Sequence, residues 1–133
     1  RPTRNRTLFP STTLFRSEQF LVKKDVQFIE KIHQVIEENL DNSDFNIDTI
    51  ASTIGLSRSA FFKKLKSLTG FAPVDLVKEI RLNKSIELIK NSDMSISEIA
   101  FAVGFKDSGY FSKCFRKKYD QTPREYMNEW RKG

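Results

Sequence analysis

The sequence has 133 residues, enough for one domain or two small ones, and its formal net charge is +6. One cysteine, Cys114, excludes an internal disulfide framework, and with only one histidine, His33, a zinc site built from several His and Cys ligands is excluded as well. The single cysteine fits a reducing cytoplasm. No apolar run approaches the ~20 residues that span a bilayer, so we expect no membrane segment.

The first 24 residues are expected to lie outside the folded domain. Residues 7–17, TLFPSTTLFRS, differ only at Ser11 from a translation of a common sequencing-library adapter, which has Tyr at that position. We interpret this tail as an assembly artefact, and the alternative is a natural basic linker from an upstream domain. Under either interpretation the predicted domain covers residues 25–133.

The rest of the sequence predicts an all-α fold of about seven helices. Apolar residues recur at helical spacing, Gly55, Gly70 and Gly104 are placed to end helices, and Pro73 and Pro123 to begin them. No stretch alternates convincingly like a strand. The predicted helices cover residues 25–40, 47–54, 58–68, 73–91, 96–103, 108–119 and 123–131, with Ser57, Ser95 and Asp107 as N-caps.

The chain contains an internal repeat. Residues 50–66, IASTIGLSRSAFFKKLK, are followed by a similar phrase at residues 99–115, IAFAVGFKDSGYFSKCF. Gly55 matches Gly104 at an offset of 49, and after one inserted residue Phe61 matches Phe111 at an offset of 50. Two helices joined by a few residues around a glycine form the helix-turn-helix pattern. One copy is a weak signal, but two copies with the same caps and core positions are a strong one.

The second helix of each copy is predicted to expose a basic face. An apolar stripe marks the buried side, and the opposite side carries small, polar and basic residues without an acid. Such a helix suits the major groove of DNA, although any surface helix can have a solvated basic face. The predicted core residues are Phe61, Leu65 and Leu68 in one copy and Phe111, Cys114 and Phe115 in the other.

The charge is polarised along the predicted domain. Residues 25–55 hold seven acidic residues and one lysine, whereas residues 56–133 hold sixteen basic and nine acidic residues. Phosphates attract basic surfaces and repel acidic ones, so the basic part is the one expected to approach a nucleic acid.

These segments resemble a known family. IASTIGLSRSAFFKKLKSLTGFAPVDLVKEIRL and ISEIAFAVGFKDSGYFSKCFRKKYDQTPREY are similar to the DNA-binding domain of AraC/XylS-type transcription regulators, over residues 25–131. The stretch SRSAFFKKLKSLTG also looks like the C-terminal output domain of hybrid two-component regulators from Bacteroidota. The resemblance implies two helix-turn-helix subdomains, residues 25–72 and 92–133, joined by a long linker helix at residues 73–91. It also implies a sensory or receiver domain that these residues do not include.

The resemblance further implies the DNA-contacting positions. Phe62 and Gly109 cannot donate side-chain hydrogen bonds, so readout there would rest on apolar contact or DNA shape. Phe62 and Tyr110 could equally be packing at the rim of the interface. The base-reading positions implied are Ser59, Phe62, Lys63, Ser108, Gly109, Tyr110 and Lys113, and basic residues expected to bind phosphate are Arg58, Lys66, Arg116 and Lys117.

The sequence therefore predicts sequence-specific binding of double-stranded DNA by the output domain of a transcription regulator. Its two recognition helices would enter adjacent major-groove segments. RNA polymerase is a candidate second partner, the isolated domain is expected to be a monomer, and no cofactor or metal is expected. One alternative is a basic helical protein-interaction module. A small enzyme is disfavoured because no catalytic cluster, metal-ligand spacing or phosphate-binding glycine loop is present.

Overall fold

The computed structural model describes residues 23–131, and within that range it contains seven α-helices and no strand. No helix in the described range is long and apolar enough to cross a membrane. Residues 1–22, which hold most of the predicted tail, lie outside the described residues. The helices are α1 (Lys23–Glu38), α2 (Ile47–Thr53), α3 (Arg58–Thr69), α4 (Pro73–Asn91), α5 (Ile96–Ala102), α6 (Ser108–Tyr119) and α7 (Pro123–Arg131).

The helix bounds follow the capping signals of the sequence. Ser57 Oγ accepts a hydrogen bond from the Ala60 amide at 3.1 Å, and Ser95 and Glu98 form a reciprocal capping box at the start of α5. The main difference is at α1, which begins at Lys23, inside the predicted tail, and ends at Glu38, two residues before the predicted end. The Asn39 carbonyl accepts a turn hydrogen bond from the Asn42 amide, so the chain turns there.

The chain divides into two compact units within α4. The first unit holds the described residues up to Glu38 together with Phe45–Ile80, and the second holds Asn39–Asp44 together with the residues from Arg81 onward. The long helix therefore contributes its first part to one core and its second part to the other. The loop before α2 belongs to the second unit although α2 belongs to the first.

Each unit has its own apolar core. In the first unit the fully buried side chains include Ile32, Ile36, Ile50, Phe61 and Leu65. Leu68, which was predicted to be part of this core, is only partly buried, and Thr69 is buried in its place. The hydrogen-bonding capacity of the buried Thr69 hydroxyl is satisfied, because it donates to the Leu65 carbonyl at 2.8 Å and accepts from the Phe71 amide at 3.0 Å. The second core contains Ile89, Ile99, Val103, Phe111 and Phe115.

Candidate nucleic-acid interface

The turn between the two repeated helices has the same backbone geometry in both units. Gly55 and Gly104 have φ angles of +79° and +98°, in the left-handed region that favours glycine. The next amide closes the turn in each case, from Leu56 to the Ala51 carbonyl and from Phe105 to the Ala100 carbonyl, both at 2.9 Å. The sequence repeat is therefore a repeat of two helix-turn-helix motifs, α2–α3 and α5–α6.

The two glycines differ in their surroundings. A Cβ atom at Gly55 would meet no atom within 4 Å, whereas one at Gly104 would overlap the Leu40 carbonyl oxygen and lie 2.7 Å from Arg81 Nε. This Nε is buried and has no hydrogen-bond partner among residues 23–131, and the guanidinium donates from Nη2 to the Asn42 carbonyl at 3.3 Å. Burial lowers the pKa of Arg81. The second turn therefore has no room for a side chain, whereas the first has open space there.

The α3 helix is anchored by one face and exposed on the other. Phe61 and Leu65 are fully buried, and the Phe61 ring meets the Phe28 ring edge-on at 6.4 Å. The predicted base-reading residues of this helix, Ser59, Phe62 and Lys63, are all exposed, and so is Lys66. Phe62 is 46% exposed, which leaves its ring available for apolar contact.

The α6 helix repeats this arrangement. Phe111, Cys114 and Phe115 are buried, as predicted, while Gly109, Lys113, Arg116 and Lys117 are exposed on the other side. Two predicted base-reading residues are more restricted: Ser108 is partly buried, and the Tyr110 ring, 49% exposed, packs at 5.9 Å from the Phe105 ring. Tyr110 thus has one face on the core and another in solvent.

A groove lined by three basic residues lies beside the second helix of the second motif. It runs between α6 and the start of α7, and it is lined by Ser112, Lys113, Arg116, Lys117 and Thr122. At the offset of 50, the first motif has Phe62, Lys63, Lys66, Ser67 and Ala72 in these positions. The second motif therefore has one more basic residue and one more hydroxyl group on this side. The hydroxyl groups of Ser112 and Thr122 were not among the predicted site residues, because a groove between two helices has no sequence signature.

One predicted phosphate-binding residue already has a partner within the protein. Arg58, the first residue of α3, donates from Nη1 to both carboxylate oxygens of Asp48, at 3.2 and 3.3 Å. A similar pair stands before α6, where Lys106 Nζ lies 3.1 Å from Asp44 Oδ1. Sequence reasoning missed both pairs. The other predicted phosphate ligands, Lys66, Arg116 and Lys117, have no ion-pair partner among the described residues.

Comparison with known proteins gives a consistent assignment. A family model described as a helix-turn-helix domain matches residues 50–129. The chain is 37% identical over 114 residues to Histidine kinase P4 of Formosa agariphila, covering 86% of this chain, and 34% identical over 98 residues to the HTH-type transcriptional regulator MtrA of Neisseria gonorrhoeae, covering 74%. It spans only 8% and 32% of the lengths of these two relatives.

Solved structures share the fold. The C-terminal domain of the two-component response regulator yesN from Fusobacterium nucleatum superposes with a TM-score of 0.69 at 31% identity, over 74% of this chain and 95% of that one. An AraC-type DNA-binding domain protein from Chromobacterium violaceum gives a TM-score of 0.73 at 27% identity, over 81% and 96% of the two chains. The DNA-binding domain of AdpA, solved in complex with a target DNA, gives 0.72 at 28% identity, over 79% and 93%.

Proposed function

Because this chain belongs to the AraC/XylS-type helix-turn-helix family, we propose that it binds double-stranded DNA sequence-specifically as the output domain of a transcription regulator. The observation that carries the proposal is the pair of equivalent helices, α3 and α6, each anchored by a buried phenylalanine and each presenting an exposed basic face. A helix of this kind fits the major groove, where its side chains reach the base edges.

The base-reading roles go to the outer faces of the two helices. On α3 these are Ser59, Phe62 and Lys63, where Phe62 suits the methyl group of thymine better than any hydrogen-bonding edge. On α6 they are Ser108, Gly109, Tyr110 and Lys113. Because Ser108 is partly buried and Tyr110 packs on Phe105, Lys113 is the strongest reader of the second motif.

The phosphate-binding roles go to Lys66 on α3 and to Arg116 and Lys117 on α6. These cations are exposed and have no carboxylate partner in the described chain, so their charge is available to the DNA backbone. Ser112 and Thr122 line the same groove and could add hydrogen bonds to a phosphate oxygen. We therefore expect the second motif to contribute more to phosphate binding, and the first motif to make more apolar contact with bases.

The two motifs would occupy neighbouring segments of one face of the duplex. The nineteen residues of α4 span ~28 Å at 1.5 Å per residue, close to the ~34 Å between major-groove segments one turn apart. Since the outer residues of the motifs differ, the site should be asymmetric instead of a palindrome read by a two-fold dimer. This division treats residues 25–72 and 92–133 as the two reading subdomains and residues 73–91 as their connection.

The regulatory context is also part of the proposal. The likeness to a histidine kinase and to a response-regulator C-terminal domain favours an output domain of a two-component system in the cytoplasm. Binding as a monomer, with RNA polymerase as a second partner, is the arrangement we infer. The family and the fold are those of DNA-binding regulators, not of enzymes.

Selection of random duplexes by the chain, followed by footprinting at constant salt, tests the function. Lys63→Ala should relax sequence preference in one half of the selected site and Lys113→Ala in the other, each by about 1–3 kcal/mol. Lys64 and Lys118 offer charge-matched controls on the same helices, because their ammonium groups lie over the rings of Phe28 and Tyr119 instead of on the outer faces.

The outcomes separate the candidate functions. If Lys63→Ala and Lys113→Ala weaken all sequences alike and reduce the salt slope by about one unit, the residues contact phosphate and the base-reading roles are wrong. If selection enriches no sequence, DNA recognition is refuted and the alternative of a basic protein-interaction module, binding an acidic partner, takes its place.

A further inference from the structure

The two ion pairs at the starts of the recognition helices are the feature that the proposed function leaves unexplained. Arg58 opens α3, and Lys106 directly precedes Asp107, the N-cap of α6. Both are basic side chains at the helix ends that would enter the groove, and both are held by an aspartate, Arg58 by Asp48 and Lys106 by Asp44. The two motifs reach this arrangement by different residues.

The pairs are not a simple product of the repeat. At the offset of 49, the position equivalent to Asp48 is Ser97, and at the offset of 50 the position equivalent to Arg58 is Ser108. Lys106 is the residue inserted into the second turn, and its partner Asp44 lies in the 39–44 loop of the second unit. Each motif therefore has one neutralised cation next to the N-cap of its second helix, Arg58 directly after Ser57 and Lys106 directly before Asp107.

The geometry of the pairs favours exchange with a phosphate. The Arg58 and Asp48 side chains are 68% and 64% exposed, and those of Lys106 and Asp44 are 67% and 85% exposed. Exposed ion pairs are weak because water screens them, so neither cation is locked in place, but each aspartate still lowers the net positive charge that its cation presents to a phosphate. Both Asp48 oxygens accept from the one nitrogen Nη1, so the other N–H groups of the Arg58 guanidinium are not used in this pair.

We propose that Asp48 and Asp44 are internal competitors of DNA phosphate, which neutralise Arg58 and Lys106 and so limit the sequence-independent affinity of the domain. This inference rests on the proposed DNA binding. It gives a role to acidic residues of α2 and of the loop before it, whose charge otherwise opposes binding. When Arg58 or Lys106 contacts a phosphate, its aspartate is left unpaired beside the DNA. The repulsion between that aspartate and the DNA offsets part of the binding free energy that the phosphate contact contributes.

Neutralising one aspartate tests the proposal. Asp48→Asn and Asp44→Asn are compared with the wild type on a random-sequence duplex between 50 and 200 mM salt. Each releases one cation for one phosphate, so the salt slope should steepen by about 0.9, which adds about 3.5-fold to the loss of affinity over this fourfold salt range. The gain at low salt should be equal on random and selected duplexes. Asp48→Ser, which copies Ser97, is a second variant for the first pair.

Matched controls separate partner exchange from general charge. Asp41→Asn makes the same charge change in the 39–44 loop, at a residue without an ion pair in the described chain, and should change the slope by much less. In the Arg58→Ala background, Asp48→Asn should lose its gain, as should Asp44→Asn in the Lys106→Ala background.

Two results would overturn the proposal. One is a gain from Asp48→Asn that persists without Arg58, and the other is an Asp41→Asn gain as large as those of Asp48→Asn and Asp44→Asn. Either would show general repulsion between acid and DNA. Failure of the proposed function looks different, since selection from random duplexes by the wild type would then enrich no sequence, whatever the salt slopes of the aspartate variants.

Discussion

Replacing Gly104 with alanine should destabilise the protein far more than the same change at Gly55. The two glycines occupy equivalent turns with similar positive φ angles, so each serves as a control for the other. They differ in their surroundings: an added Cβ has open space at the exposed Gly55, but at the buried Gly104 it overlaps the Leu40 carbonyl oxygen and crowds the Arg81 guanidinium.

The magnitudes can be worked out separately. Placing a Cβ in the left-handed region costs roughly 1–2 kcal/mol, and this applies to both variants. Forcing extra volume into a packed site adds about 1–3 kcal/mol, and this applies only at Gly104 because its neighbour is backbone that cannot turn away. Gly55→Ala should therefore lose about 1–2 kcal/mol and Gly104→Ala about 2–5 kcal/mol, a large part of the ~5–15 kcal/mol typical of a domain.

Urea unfolding followed by circular dichroism measures both losses. The urea midpoints of the two variants rank their losses of stability. If the slope of unfolding free energy against urea concentration is unchanged, the difference in midpoint reports a difference in stability and not in the compactness of the denatured state. If the two variants lose the same free energy within about 0.5 kcal/mol, the close approach at Gly104 has no energetic weight and the reasoning from contacts is wrong.

Three further outcomes are expected. Phe111→Ala and Phe61→Ala should each cost about 3–5 kcal/mol in urea unfolding, because both rings are fully buried; a loss under about 1 kcal/mol would contradict their anchoring role. Arg131→Ala should cost about 1–3 kcal/mol, since its guanidinium donates to the Ile89 and Met94 carbonyls at 3.0 and 2.9 Å; Arg131→Lys should recover little, and full recovery would show that charge alone matters. Ser95→Ala should cost about 0.5–2 kcal/mol by removing the capping box of α5, and hydrogen exchange should rise first in that helix; unchanged exchange there would show that the cap is dispensable.

The helical architecture could be predicted because its signals are local. Proline at the first turn marks α4 and α7, whose bounds agree with the prediction at both ends, and the glycine turns mark the ends of α2 and α5. The spacing of apolar residues was a weaker guide to where the buried face of a helix ends. Leu68 and Thr69 stand side by side at the end of α3, and Thr69 is the one that continues the i, i+4 stripe of Phe61 and Leu65. Its burial is tolerated because its hydroxyl is hydrogen-bonded to backbone groups.

The candidate site could be predicted only in part. Once Phe61 and Phe111 are taken as core, helix geometry fixes Lys63 and Lys113 on the outside, and both are exposed. Whether they read bases stays a prediction. The partner of Arg58 could not be foreseen, because Asp48 lies on another helix and a charge in a sequence does not specify which opposite charge it meets.

The division of α4 between two cores has a consequence for folding cooperativity. Leu76 and Ile80 are buried in the part that belongs to the first unit, and Leu82 and Ile89 in the part that belongs to the second. If one unit unfolded alone, its part of the helix would lose its packing and fray toward the middle. A helical segment shorter than ~12–15 residues is marginal in water, so neither half of α4 is stable without tertiary packing. The shared helix therefore links the stabilities of the two units, and a mutation in one core should lower the population in which the other is fully formed.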